Sequence, residues 1–341
     1  MNRRENFLRA ARFEYPESIP MIFVYNGSCW PEYPHDALIE LMAGHPYLFP
    51  HFNPNEFTPP VYREKSGDLI TDEWGITWVT GYPGMIGGIE RHPLADWDAL
   101  DRYVPPTLNL SVEHEGKRLA DAYSAGELGI GSLDHGHTFL RYTYLRGYEN
   151  AIFDMSDDDP RAHRLLGMIE EFNMQVVKHS LASGVEWMSY PEDLGMQVGP
   201  MLSPEFLRKY IKPSYTRLMQ PAKEAGCVVH MHSDGDIRDL VDDLVVSGVQ
   251  VVNLQDLVNG LDWIKANLWG KVAIDLDIDR QRVVTFGTPA EIDALIRHEV
   301  ELLGSKQGGL MMIHGMYPGT PLENARALMD AMERYAGYYA D

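Results

Sequence analysis

Short apolar runs recur along the chain, each followed by a longer stretch in which apolar residues return every three or four positions. The short runs are 19–25 (IPMIFVY), 128–134 (LGIGSLD), 186–193 (EWMSYPED), 227–234 (CVVHMHSD), 249–255 (VQVVNLQ), 270–277 (GKVAIDLD) and 308–315 (GGLMMIHG). Their length suits strands and the intervening spacing suits helices, so the pattern predicts βα units around a parallel sheet. Between 159 and 184, Leu165, Leu166, Ile169, Phe172, Val176 and Val177 keep helical spacing and Gly184 supplies the stop. A second helix is predicted over 320–339, with Thr320 as N-cap, Pro321 at its first position and Glu323 three residues after the cap.

Two regions depart from this rhythm. The first twenty residues read as a short amphipathic helix carrying Phe7, Leu8, Ala11 and Phe13 among charges, without the apolar centre of a secretory signal. Residues 30–110 are rich in Pro and aromatics and contain a predicted hairpin near 72–81 (DEWGITWVTG). They read as a long insertion after the first strand, of the kind that roofs the site in barrels.

With 341 residues the chain suits one large α/β barrel or two modest domains. No stretch approaches the ~18 uninterrupted apolar residues of a membrane span. Two cysteines, Cys29 and Cys227, cannot staple a scaffold and suit a reducing, cytoplasmic setting. The 29 basic against 50 acidic residues give a formal charge of −21. That argues against a nucleic-acid role, and a polyanionic substrate would need a locally basic pocket.

Polar residues gather where the predicted strands end: Tyr25 and Asn26; Asp134, His135 and His137; Glu192 and Asp193; His232 and Asp234; Asn253, Gln255 and Asp256; Asp275 and Asp277; and His314. Such ends converge on one face of a parallel α/β sheet or barrel. In the run 227–240 (CVVHMHSDGDIRDL), His230, His232 and Asp234 alternate and therefore share a face. His230, deepest in its strand, reads equally as hydrogen-bonded core, and Asp234 before Gly235 reads equally as a turn. His232 and Asp234 can meet His314 from a strand three units later, and two imidazoles with a carboxylate bind a divalent metal while leaving positions open.

Taken together, RRENFLRAARFEYPESIPM, DEWGITW, YLRGYENAIFDM, GPMLSPEFLRKYIKPSYTRLM, HSDGDIRDLVDDLVVSGVQVVNLQ and IHGMYPGTPLENARALM resemble the uroporphyrinogen decarboxylase superfamily, which also contains cobalamin-linked methyltransferases. The resemblance implies a single (β/α)8 barrel over 1–341, with 30–110 as the roofing insertion. Methyltransferase members carry a zinc motif of His-x-Cys with a distant Cys ahead of a PxTPxEN-like helix start. His232, Asp234 and His314 stand at those three positions, so both thiolates are replaced. The decarboxylase branch carries an Arg-rich RQAGRY segment after its first strand, whereas VYNGSCWPEYPHD here has no Arg, and arginine is what bidentate carboxylate recognition requires.

The resemblance therefore implies a metal-dependent methyltransferase moving a methyl group between a small O-methyl substrate and a cobalamin. The metal, zinc by family, would sit on His232, Asp234 and His314. Glu192 or Asp193 is the expected fourth ligand or general acid/base, and His230 a deeper catalytic residue. Tyr25, Tyr190 and His135 are expected against the cofactor, with Trp30 and Met196 extending an aromatic, apolar wall. No Asp-x-His-x-x-Gly attachment pattern occurs, so the corrinoid is expected from a separate protein, with a second copy of the chain as a further partner. A tetrapyrrole decarboxylase and a non-catalytic tetrapyrrole- or corrinoid-binding barrel are the alternatives.

Overall fold

The computed structural model describes residues 1–339. Its strands are, in chain order, β1 (Met21–Tyr25), β2 (Leu69–Thr71), β3 (Thr77–Tyr82), β4 (Met85–Arg91), β5 (Ile130–Ser132), β6 (Trp187–Asp193), β7 (Val228–Asp234), β8 (Val251–Gln255), β9 (Ala273–Asp277) and β10 (Leu310–Met316). Seven of them form one parallel sheet in the order β1-β10-β9-β8-β7-β6-β5. All seven expected strands are present, each in its expected place. The sheet curls with helices on its outer side, an α/β barrel of the (β/α)8 type. The barrel is open along one side, because β1 and β5 are its two edges and no eighth strand closes it among the described residues. The chain between them builds instead the separate antiparallel sheet β2-β3-β4.

Residues paired across a parallel ladder share a face, so register fixes which side chains enter the barrel. Met188 and Tyr190, Val229 and Met231, Val252 and Leu254, and Ile274 and Leu276 pack into the large core formed with the surrounding helices. The alternate residues face inward. The first of each set, Trp187, Val228, Val251, Ala273 and Met311, forms a second apolar cluster with Phe7, Ala10 and Ala11. The amphipathic helix Arg3–Arg12 thus plugs the lumen at the N-terminal ends of the strands, its start capped by Asn2, which accepts from the Glu5 N–H. Gly309, at φ 87°, makes this approach possible, since a Cβ there would lie 2.1 Å from the Phe13 ring. With this end sealed, the polar upper layers must be reached from the C-terminal end or the open side.

The helix Pro160–Ser183 starts on Asp159 and ends on Gly184 in the left-handed conformation, as the pattern predicts. The last helix differs slightly. It runs Leu322–Ala336 with Pro321 at the N-cap and no side-chain cap, so Thr320 lies one residue too early to bond its first turn. In the insertion, Trp74 packs on Phe172 at 4.6 Å and Trp78 on Tyr144 at 5.0 Å, while Arg141 covers Trp74 at 4.7 Å. The β3–β4 turn reaches the end of β1, where a Cβ on Gly84 would lie 2.7 Å from the Gly27 carbonyl carbon. No helix among the described residues is long and apolar enough to cross a membrane.

Candidate active site in the barrel lumen

Above the apolar plug the inward residues turn polar. Ser189 and His230 come first, then Pro191, His232, Asn253 and Asp275, then Asp193, Asp234, Gln255 and Asp277. His230 is held at both nitrogens, by Ser189 Oγ at 3.0 Å and Asp275 Oδ2 at 3.0 Å. His232 Nε2 lies 3.5 Å from Asp193 Oδ1 and 3.7 Å from Asp234 Oδ1. His135, on the turn after β5, brings its Nε2 within 3.4 Å of Asp193 Oδ2. Gly136 N–H anchors that turn to the Pro191 carbonyl at 2.9 Å.

Asn253 sets the tautomer of His232. Its Nδ2 donates to the Asp275 carbonyl at 2.6 Å, which leaves Oδ1 as an acceptor for His232 Nδ1–H. The neutral imidazole therefore carries its lone pair on Nε2, toward Asp193. This is the arrangement by which an outer partner orients a metal-ligating histidine. Burial alone would lower the His232 pKa, but Asp193, Asp234 and Asp277 outweigh it and raise it to about 9. Asp193 is buried, yet His135 and His232 hold its carboxyl below the usual range.

Arg280, just beyond β9, reaches Asp234 Oδ1 at 2.5 Å and Asp277 Oδ2 at 3.0 Å. Burial raises the Asp277 pKa to about 7 despite Arg280. Two groups of side chains bring ligand atoms within 4.8 Å of one another: His135, Asp193 and His232, and His232, Asp234 and Asp277. In the second, the guanidinium already serves as the cation between the carboxylates. The first has two imidazoles, one carboxylate and no competing cation, a donor set suited to zinc or another borderline divalent ion.

The expected His232, Asp234 and His314 set does not assemble. Ile313 pairs with Asp277 and enters the lumen, so His314 faces outward, fully buried, beside Phe23 at 5.3 Å and with Nδ1 3.2 Å from the Ile278 carbonyl. Burial lowers its pKa to about 4. The same alternation removes three other expected residues. Tyr25 is outward, against Phe49 and Trp30. Tyr190 donates to the Leu218 carbonyl at 3.0 Å, behind the wall. Glu192 is also behind it, accepting the N–H groups of Thr138, Phe139 and Leu140 at the start of the helix Phe139–Arg146. It therefore braces the His135 turn and does not face the lumen. Met196 lies on the loop after β6, 45% exposed. Arg280 and the orienting role of Asn253 escaped the sequence reading. The run LDIDR, with Arg three positions after Asp277, was the available signal for the former.

A curved parallel sheet with a polar lumen at its C-terminal end defines an α/β-barrel fold. The sequence model of the uroporphyrinogen decarboxylase (URO-D) family matches residues 136–335, and the chain belongs to that family. Curated relatives include the uroporphyrinogen decarboxylase of Thermus thermophilus, 29% identical over 206 residues that make up 58% of this chain and 53% of that protein. The Danio rerio uroporphyrinogen decarboxylase is 24% identical over 185 residues, 51% of this chain and 47% of that one. The chain spans about half the length of these relatives. A solved methyltransferase from Methanosarcina mazei shares the fold with a TM-score of 0.65 at 14% identity, over 98% of this chain and 99% of that one.

Proposed function

We propose that this protein is a metal-dependent methyltransferase that takes a methyl group from a small oxygen-methylated substrate and passes it to a cobalamin carried by a separate protein. The metal ligands in this reading are His135, Asp193 and His232. The observation that carries it is the convergence of two imidazole Nε2 atoms on the two oxygens of Asp193, with Asn253 holding His232 in the tautomer a metal requires. A bound divalent ion, zinc by donor set, supplies Lewis acidity toward a substrate oxygen. The chain itself contributes the frame. Glu192 braces the turn that carries His135, Arg280 ties up Asp234 and Asp277 so that they do not compete, and the His230–Asp275 pair forms a polar floor. The insertion is taken as the roof.

A second reading, decarboxylation of a tetrapyrrole, is favoured by the relatives' own activity. Against it, Arg280 in the lumen is committed to two aspartates, and residues 24–36, directly after β1, contain no arginine. Metal content after supply of zinc or cobalt, measured by mass spectrometry, tests the proposal. Wild type and His314→Ala should load about one ion, and His135→Ala, Asp193→Ala and His232→Ala much less. Equal loading of all five proteins, or none in wild type, overturns it. Conversion of uroporphyrinogen by metal-free protein would establish the second reading.

A further inference from the structure

We propose that the cleft between the β2-β3-β4 sheet and the helix Phe139–Arg146 binds a single uncharged aromatic ring, and that this ring belongs to the substrate. The cleft has a volume of about 420 Å³, at the lower end of small-molecule sites. Trp78 and Tyr144 form its corner, with ring centroids 5.0 Å apart and planes at 79°. A flat ring placed in that corner meets the face of one and the edge of the other, the two arrangements aromatic pairs favour. Ile89, Leu140 and Met201 add apolar surface.

The lining holds no Lys, Arg, Asp or Glu, so nothing there can pair a carboxylate. His92 is the one imidazole. Its Nδ1 donates to the Tyr144 carbonyl at 2.8 Å, which leaves Nε2 an acceptor for a hydroxyl on the ring. A Cβ on Gly88, at the exposed rim, would meet nothing within 4 Å. The cleft also adjoins the candidate ligands. A Cβ on Gly136, next to His135, would lie 3.0 Å from Tyr144 Cε2, so the ring that walls the cleft also packs on the turn that carries His135.

The assignment of the ring to the substrate rests on the methyl-transfer reading, but its binding does not. The test is calorimetric titration of chelator-stripped protein with 2-methoxyphenol, with cyclohexanol as a non-aromatic probe of similar size. Wild type should bind 2-methoxyphenol saturably and at least tenfold more tightly than cyclohexanol, and its protons should show saturation transfer from the Trp78 indole. Trp78→Leu removes one wall of the aromatic corner and should weaken the aromatic probe at least tenfold at unchanged metal content. Should that variant fold poorly, Ile89→Lys, which sets a charge on the apolar lining beside Trp78, replaces it in the same comparison. Absence of saturable binding to wild type, equal binding of the two probes, or undiminished binding by the folded variant overturns the assignment. Ring binding without metal loading would overturn the metal site and leave the cleft standing, and the converse result would do the reverse.

Discussion

Replacing Asn253 with alanine removes the link that orients His232 without touching any candidate ligand. Asn253 is 4% exposed, and its loss deletes the bond from His232 Nδ1 and the 2.6 Å bond to the Asp275 carbonyl. Each buried partner left unpaired costs about 1–3 kcal/mol. Stability should therefore fall by about 2–6 kcal/mol, against the roughly 5–15 kcal/mol typical of a folded protein. The larger signature lies in metal binding. With the imidazole free to rotate and to change tautomer, affinity should fall by about 10–100-fold, the range for removing an outer partner of a ligating histidine. Cobalt(II) titration of chelator-stripped protein, followed by visible absorption, measures this, and thermal melting confirms folding. Asn253→Asp keeps an acceptor for His232, sets a carboxylate oxygen against the Asp275 carbonyl in place of the donor and adds one negative charge to the lumen. It should lose stability yet bind cobalt nearly as well as wild type. Undiminished affinity in the alanine variant, or an equal fall in both, refutes the reasoning.

Three further outcomes follow from the fold. Phe7→Ala empties the lumen plug and should cost about 3–5 kcal/mol in urea unfolding; a loss under about 1 kcal/mol would mean the helix Arg3–Arg12 does not seal the barrel. Glu192→Ala strips three N–H groups of their acceptor, so both the melting temperature and cobalt affinity should drop, the latter through His135; a drop in stability alone would separate Glu192 from the site. Glu299 is fully buried, and burial together with Asp256 holds its pKa well above the ordinary value. A raised folded pKa means its contribution is complete at low pH and is lost as pH climbs through the folded value, by up to about 1.4 kcal/mol per unit. Glu299→Gln should therefore gain on wild type between pH 5 and pH 8 in urea unfolding, and a pH-independent difference would contradict this.

The strands were legible because both faces of each are apolar enough to mark a run. For the same reason the face each residue takes was not. In a parallel sheet covered on both sides, WMSYPED offers no polar–apolar alternation to tell Asp193 from Glu192. Only the register with β7, which pairs Asp193 with Asp234, puts one in the lumen and the other against a helix start. His232 and His314 illustrate the same point over a longer distance. Each lies two residues before the end of its strand, but their faces are set by separate ladders, and the pairing of Ile313 with Asp277 sends His314 outward. His135 lies on a turn, where periodicity says nothing, and it reaches Asp193 because Gly136 is bonded to the neighbouring strand.

The lumen's charge pattern bears on what it can accept. Among the described residues, Asp193, Asp234, Asp275 and Asp277 face it, and each has a cationic or imidazole partner: Asp193 with His135 and His232, Asp234 and Asp277 with Arg280, Asp275 with His230. No basic side chain in this set is left over for a substrate carboxylate, and the chain around it carries a formal charge of −21. A substrate with many carboxylates would have to displace aspartates from Arg280 against that field. A neutral one displaces nothing, and a divalent ion between His135, Asp193 and His232 would take the place of the proton that His232 now shares with its carboxylates. The same balance that disfavours a polyanion thus favours a metal and an uncharged ligand together, which is the pairing that the apolar, carboxylate-free cleft beside His135 suits.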